Sequence, residues 1–190
     1  MIMAILIIGL LVFYIPHAGP VFFPSFRQNA IKILGLFKWR LAYSIASISG
    51  IILIIWGWIV FRPLAPDIYV LPAWSYHIAY LFIWAAFVLF LITKKQPGRI
   101  LLIVKHPMMI GTMLWSIAHL IVNGDLASIL VFGSFLIYAI ASLIFYALKG
   151  NEKYKFISYQ SDISALAFGT IIFVIFGFWL HGWLFGVVPF

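Results

Sequence analysis

The 190-residue chain contains no cysteine and only four acidic residues, against twelve Lys and Arg. Without cysteine there is no disulfide framework, no thiolate metal site and no catalytic thiol. With so few carboxylates, the paired-acid chemistry of glycosidases, two-metal enzymes and aspartic proteases is excluded. Any metal ligand must therefore come from His, Asp, Glu, Tyr or Met.

Charge of either sign is scarce too. Charged residues make up 8% and apolar residues 66% of the chain, against roughly 25% and 45–50% in an average soluble domain. Several apolar runs exceed the ~18 residues that a helix needs to cross a bilayer. The chain is therefore predicted to be an all-α integral membrane protein whose main partner is the lipid bilayer. The net charge of +8 does not indicate a nucleic-acid partner, because the basic residues are dispersed among apolar spans.

Six transmembrane helices, forming one bundle, are predicted where apolar runs alternate with polar or proline-containing breaks. They are placed at residues 2–22, 38–61, 69–92, 100–122, 126–148 and 164–187. The loops after the first, third and fifth spans carry every basic residue except Arg62. The positive-inside rule puts these loops in the cytoplasm and both termini on the outer side. No repeat or linker divides the chain, so 1–190 is predicted to be a single domain of the cytoplasmic (inner) membrane.

Five histidines fall within the predicted spans, at His17, His77, His106, His119 and His181. An ionisable group inside a membrane suggests function by default, although a neutral imidazole can also bond a neighbouring helix. Neutral imidazole is a ligand of haem iron, copper and zinc. Without cysteine or intramembrane carboxylates, haem is favoured over a structural zinc site.

Depth sorts these histidines into two groups. His106 and His119 are ~20 Å apart along one helix at 1.5 Å per residue, so they cannot ligate one metal together. His17 is expected at a depth similar to that of His106, and His77 and His181 in the outer half with His119. Two imidazoles are therefore available on each side, and spacing alone does not select the pair.

The fourth predicted span carries the most distinctive residues. Trp115 and His119 are one helical turn apart, which puts an aromatic wall beside an imidazole. Pro107 has no N–H to donate and suits a kink or a first turn. Lys105 lies beside His106, and the alternative to a binding role is that its ammonium extends to the lipid headgroups.

The acidic residues favour structural roles. Asp125 is expected to cap the following helix, and this is favoured over a catalytic role. Glu152 and Asp162 border the last cytoplasmic loop, where we expect them to be solvated or paired with Lys153 and Lys155 rather than catalytic. No catalytic residue is assigned from the sequence.

Four segments resemble the NnrU family, which is named for association with nitrite and nitric-oxide reductase genes and includes the plastid zeta-carotene isomerase. The first is GLLVFYIPH at 9–17, and the second is Tyr43-Ser44 with Gly50 and Trp56-Gly57. The third runs from Lys105-His106-Pro107 to Phe132-Gly133 and includes Trp115, Ala118-His119-Leu120 and Asn123-Gly124-Asp125. The fourth is HGWLFGVVP at 181–189. Lys105 stands where the family usually has Arg. Ser116 stands where the isomerase has Cys.

The resemblance implies a function. The carotene isomerase is a haem b protein that isomerises a cis double bond of a polyene, and its iron ligands correspond to His17 and His119 of this chain. By this analogy Trp115, Phe132 and their apolar neighbours would hold a lipophilic substrate. His106, which matches His17 in depth, is the rival second ligand.

Two alternatives stay open. The chain could be a non-enzymatic accessory protein of denitrification or respiratory haem metabolism that works through membrane partner proteins. A more distant resemblance, to isoprenylcysteine carboxyl methyltransferases and sterol reductases, rests on a basic-His-Pro motif and implies a cytoplasm-facing site for S-adenosylmethionine or nicotinamide at Lys105, His106 and Glu152. In that motif Met109 replaces the usual Tyr.

Overall fold

A computed structural model describes residues 2–150 and 152–189, in which every regular element is helical and no strand forms. Its α-helices are α1 (Ile2–Phe22), α2 (Pro24–Phe61), α3 (Ser75–Phe90), α4 (Arg99–Val104), α5 (Pro107–Val122), α6 (Leu126–Lys149), α7 (Gln160–Ile175) and α8 (His181–Phe185). A 3₁₀ turn follows α2, and a π-helical turn, Phe176–Leu180, joins α7 to α8. The all-α prediction is confirmed.

Four stretches are long and apolar enough to cross a membrane. They are Met3–Phe22, Pro24–Leu64, Leu126–Lys149 and Gln160–Phe185. Helices α3 and α5 are apolar but shorter, at 16 residues each, or about 24 Å. Membrane character is therefore supported, whereas the count of six spans and the side of the termini stay predictions.

The described chain divides into two compact units. The first comprises the chain up to Ile68 together with Asp125–Val131, and the second comprises Tyr69–Gly124 together with the chain from Phe132 onward. The boundary between them falls inside α6, which contributes its first turns to the first unit and the rest to the second.

In the first unit, α1 and α2 pack antiparallel through glycines. A Cβ on Gly57 would lie 2.6 Å from the backbone nitrogen of Leu6, and one on Gly50 would lie 2.8 Å from that of Phe13. A side chain at either position would clash with the backbone of α1, so both positions need glycine. Small residues therefore set the distance between the two helices, as they do in membrane helix pairs generally.

The second predicted span begins earlier than expected. Residues 23–37 were predicted as a cytoplasmic connection, but helix starts at Pro24 and continues to Phe61. Gly35 interrupts it with a positive φ of 77°, a conformation that glycine adopts without a Cβ penalty. The apolar pattern does not predict this helical segment because basic residues interrupt it.

The fourth predicted span is two helices and not one. Helix α4 ends at Val104, Lys105 has a positive φ of 59°, and α5 begins at Pro107. His106 has φ −124° and ψ 64°, since the residue before a proline is disfavoured in the α region. Pro107 is therefore a first-turn residue, one of the two roles predicted for it.

In the second unit, α3 packs against both α5 and α7. Gly111 of α5 lies against the ring of Phe90, and Gly169 of α7 lies against the backbone of Val88. A buried cluster of Val88, Ile92, Leu101 and Ala165 joins α3, α4 and α7. The sixth predicted span begins at Gln160 instead of residue 164.

Candidate functional site

His119 is the centre of an aromatic cluster in the second unit. Its Nδ1 donates to the carbonyl oxygen of Trp115, one turn earlier on α5, at 2.8 Å. The ring of Phe132, from α6, stacks on the imidazole at 4.2 Å between centroids, and the indole of Trp115 lies at 4.9 Å. Phe132 and Phe135 both meet Trp115 edge-on. The imidazole thus has a fixed tautomer and a fixed orientation.

His181 is held in the same way at the start of α8. Its Nδ1 donates to the carbonyl oxygen of Val187 at 2.7 Å, and the rings of Phe176 and Phe185 flank it at 5.9 and 5.0 Å. The π-helical turn lies directly before it. Such turns occur frequently at functional sites.

His17 lies in the first unit, on α1. Its Nδ1 donates to the carbonyl oxygen of Phe13 at 2.7 Å, and the Phe13 ring stacks on the imidazole at 4.0 Å. Tyr43 of α2 lies 5.0 Å away between centroids. His17 and His119 thus belong to different units, and their assignment as a ligand pair stays a prediction.

His106 and Lys105 occupy the turn between α4 and α5. The His106 ring stacks on Tyr146 of α6 at 4.5 Å between centroids. Lys105 is exposed and is the only described residue other than glycine with a positive φ. His77 is exposed near the start of α3. The structure therefore joins Trp115 to His119 but puts His106 and Lys105 in a separate part of the second unit.

A charged cluster lies in the loops of the second unit. The Lys94 ammonium donates to Glu152 at 2.7 Å, and the Tyr154 hydroxyl donates to the same carboxylate oxygen. Both charged side chains are more than half exposed. The hydrogen bonds from Lys94 and Tyr154 hold the pKa of Glu152 below its ordinary value. The prediction that Glu152 is solvated or paired is correct, but its partner is Lys94, from another loop.

Asp125 caps α6, as predicted. Its two carboxylate oxygens accept hydrogen bonds from the backbone N–H and the hydroxyl of Ser128 at 2.8 and 2.7 Å. Nε of Arg62 lies 3.3 Å from the same carboxylate, and Nε1 of Trp58 donates to the Ser128 hydroxyl at 3.0 Å. We call these four residues of the first unit the polar latch. No sequence pattern predicted that Trp58, Arg62 and Ser128 join Asp125 in this cap.

Asp162 has a structural role that no sequence pattern predicted. It is buried, and its carboxylate accepts the backbone N–H groups of Arg99 and Ile100 at 2.6 and 3.3 Å. Asp162 of α7 therefore caps α4, although it lies 63 positions after Arg99 and 62 after Ile100 in the chain. The expectation that it is solvated or paired with lysine is wrong, because the free N–H groups of α4 need an acceptor.

Two serine hydroxyls of the second unit are buried without a partner. Within residues 2–150 and 152–189, Oγ of Ser116 and Oγ of Ser142 make no hydrogen bond. Thr112 and Thr170 instead bond to the carbonyl four residues earlier. Ser116 lies one turn before His119, so an unsatisfied hydroxyl accompanies the aromatic cluster.

No three His, Asp or Glu side chains of the described chain come together as a metal site. An axial haem site needs only one or two such ligands, because the porphyrin supplies the others. Comparison with known families matches the family model described as NnrU protein over residues 5–189. No curated protein and no solved structure matches the chain.

Proposed function

The chain belongs to the NnrU family, and from that membership we propose that it binds haem b in the membrane through histidine. His119 is the ligand that we assign first. The resemblance to the carotene isomerase names His17 as its partner, and the expected depth names His106. Haem-dependent cis-trans isomerisation of a lipophilic polyene is the activity that the proposal favours.

The observation that carries the proposal is the hydrogen bond from His119 to the Trp115 carbonyl. A histidine that ligates a metal almost always donates its other ring N–H to a carbonyl or carboxylate. With the proton of the neutral ring on Nδ1, the lone pair of Nε2 is available to iron. The residues present therefore fit haem, which needs a neutral imidazole in an apolar setting.

The surrounding residues would bind and orient the ligand. Haem supplies the change in electron density that weakens a double bond. Phe132 holds the imidazole face, and Trp115 presents an apolar wall edge-on to Phe132 and Phe135. These rings exclude water and offer flat contact surfaces to a conjugated chain.

The test is the visible spectrum of the detergent-purified protein, recorded as isolated, after haem addition and after dithionite. We expect a Soret band with sharp reduced bands. His119→Asn keeps a side-chain donor for the Trp115 carbonyl but removes the ligating nitrogen, so it should abolish or shift the band. The matched control is His77→Asn, at an exposed histidine of the same unit, which should leave the spectrum unchanged. A wild-type spectrum retained by His119→Asn would contradict the assignment.

Isomerase activity is tested separately from haem binding. The haem-loaded protein is reduced and incubated with a cis-polyene in detergent, and the isomers are separated by chromatography. We expect conversion that His119→Asn removes. Haem binding without conversion would instead support the accessory role in respiratory or denitrification haem metabolism.

The strained backbone at Lys105 favours a second candidate function. A non-glycine residue with a positive φ costs of order 1–3 kcal/mol and is concentrated at functional sites. Lys105 adjoins His106, so a cytoplasm-facing site for S-adenosylmethionine or nicotinamide is the alternative. Saturable binding of either cofactor that His106→Ala abolishes would favour it, and absence of such binding would remove it.

A further inference from the structure

Residues 24–34, which we call the basic segment, form an amphipathic helix at the start of α2. Apolar side chains recur at the i, i+4, i+7 and i+8 positions of one face, which is the spacing of a helix that packs on an apolar surface. These residues are Phe26, Ala30, Ile33 and Leu34. The opposite face carries polar side chains, those of Ser25, Gln28, Asn29 and Lys32.

Helix α2 is too long to cross a bilayer as one straight rod. Its 38 residues would rise about 57 Å, whereas the hydrocarbon core of a bilayer is about 30 Å thick. Residues 36–61 alone would rise about 39 Å, which is enough for the crossing. Gly35 ends the regular helix before them, with a φ of 77° and a ψ of 158°. The basic segment therefore precedes the part of α2 that crosses the membrane.

The basic segment leaves the axis of the crossing helix. The rings of Phe26 and Trp39 lie 5.9 Å apart between centroids, whereas a straight helix would put the two residues ~20 Å apart along its axis. The ring of Phe26 also lies against Gly19, near the end of α1. The bend at Gly35 thus brings Phe26 back beside Trp39, and the basic segment does not continue the direction of the crossing.

The apolar face of the basic segment is uncovered beyond Phe26. Ile33 is 82% exposed and Leu34 is 43% exposed. This face shares its helix with a polar face, so complete immersion in hydrocarbon and complete exposure to water would each leave one face in the wrong medium. A helix with these two faces is stable where the headgroups of a bilayer meet its acyl chains.

The charge of the region selects among lipid headgroups. The basic segment carries Arg27 and Lys32, and Lys38 and Arg40 follow shortly after the bend, whereas no acidic residue precedes Asp67. Within the described residues, the side chains of Arg27 and Lys32 make no hydrogen bond or ion pair. A basic residue near an acidic membrane surface strengthens association about fivefold. The uncompensated charge therefore complements acidic headgroups.

We infer that the basic segment is an interfacial helix that binds acidic phospholipid. Its apolar face lies at the boundary between headgroups and acyl chains, and Arg27 and Lys32 pair with lipid phosphates. Arg27 projects on the same side as Leu34 and reaches the phosphates by extending its stem along the apolar surface. The leaflet is the one that the positive-inside rule assigns to the cytoplasm, where acidic lipids attract such segments. The inference is independent of haem binding.

The test uses one spin label on the full chain, which has no cysteine of its own. Ile33→Cys puts the label on the apolar face, and Gln28→Cys puts it on the polar face. Each protein is reconstituted in nanodiscs of phosphatidylcholine alone, or of phosphatidylcholine and phosphatidylglycerol in equal parts. With the acidic lipid, we expect the label on the apolar face to become immobilised and shielded from a water-soluble nickel reagent. The label on the polar face should stay accessible to that reagent.

The role of the charges is tested in the labelled Ile33→Cys protein, from the ratio of the immobilised to the mobile component of its spectrum. Adding Arg27→Gln and Lys32→Gln should lower this ratio about fivefold for each charge removed. Added salt should lower the ratio when both charges are present. The matched control is Lys153→Gln with Lys155→Gln, which removes the same charge from exposed positions of the second unit and should leave the ratio unchanged.

The conservative exchange guards against a variant that folds poorly. Arg27→Lys with Lys32→Arg keeps both charges and should keep the ratio of the parent protein. A ratio that is equal in neutral and acidic nanodiscs, or that survives Arg27→Gln with Lys32→Gln, would overturn the inference. Dipolar broadening between labels on two chains would show that a second copy covers the apolar face, and would overturn it too.

Discussion

The polar latch and the His119 cluster, formed by His119, Trp115, Ser116, Phe132 and Phe135, differ in how their polar atoms are bonded. In the latch, the Asp125 carboxylate, the Ser128 hydroxyl and the Trp58 indole nitrogen all have protein partners. In the His119 cluster, the hydroxyl of Ser116 is buried and has no partner within the described part of the chain. Buried polar groups without partners are costly in an apolar medium.

This is the difference that the haem proposal predicts between a structural polar site and a binding site. The latch is complete without a ligand, since it caps α6 and neutralises Arg62. Under the haem proposal, the His119 cluster instead needs a ligand, which Nε2 of His119 would bind. Substitutions in the latch should therefore change stability, whereas substitution of His119 should change ligand binding.

The largest effect on stability is expected for Asp125→Ala. The carboxylate is 6% exposed and bonds both Ser128 and Arg62. Removing one partner of a buried pair costs about 3–5 kcal/mol, and the partial exposure of Arg62 places the expected loss near the lower end. Chemical unfolding in detergent measures it. Asp67→Asn, at an exposed acid of the same unit, is the control and should change little. Equal losses of unfolding free energy in both variants would show that the latch does not stabilise the fold more than an exposed acid does.

A smaller effect of opposite sign is expected for Ser142→Ala. Its hydroxyl is buried and has no partner in the described chain, so removing it relieves a desolvation penalty of about 1 kcal/mol or more. We expect the free energy of unfolding to stay the same or rise by about 1 kcal/mol. The comparison is Ser128→Ala, which removes a hydroxyl with two partners and should destabilise. A clear loss in Ser142→Ala would mean that its hydroxyl is bonded in the folded protein.

The smallest effect is expected for Glu152→Gln in the loop cluster. The pKa of Glu152 is lowered in the folded state by Lys94 and Tyr154, so its contribution is present above the unfolded-state pKa and lost as the pH falls through the folded-state pKa. Because the pair is exposed, we expect no more than about 1 kcal/mol, reduced further by salt. Unfolding at neutral and acidic pH should show a difference from wild type only at neutral pH. A difference that persists in acid would contradict the ion-pair explanation.

Sequence patterns predicted the elements whose cause is local. The apolar runs located α1 and α6, the proline at 107 marked a first turn, and Asp125 was identified as a cap. They did not find the break at Lys105, although Pro107 disfavours helix at the residue before it. They also did not find the cap that Asp162 gives to α4, because it depends on packing between distant segments. The fixation of His181 by Val187 was missed for a related reason, since it requires the chain to reverse at Gly186.

The most direct test of haem binding through His119 is imidazole rescue of His119→Gly. The purified variant is given haem, and its absorption is recorded before and after free imidazole is added. We expect the Soret band to be weak or shifted in the variant and to return toward the wild-type position with imidazole. A variant that shows the wild-type spectrum without imidazole, or a wild type without any Soret band after haem addition, would contradict the account.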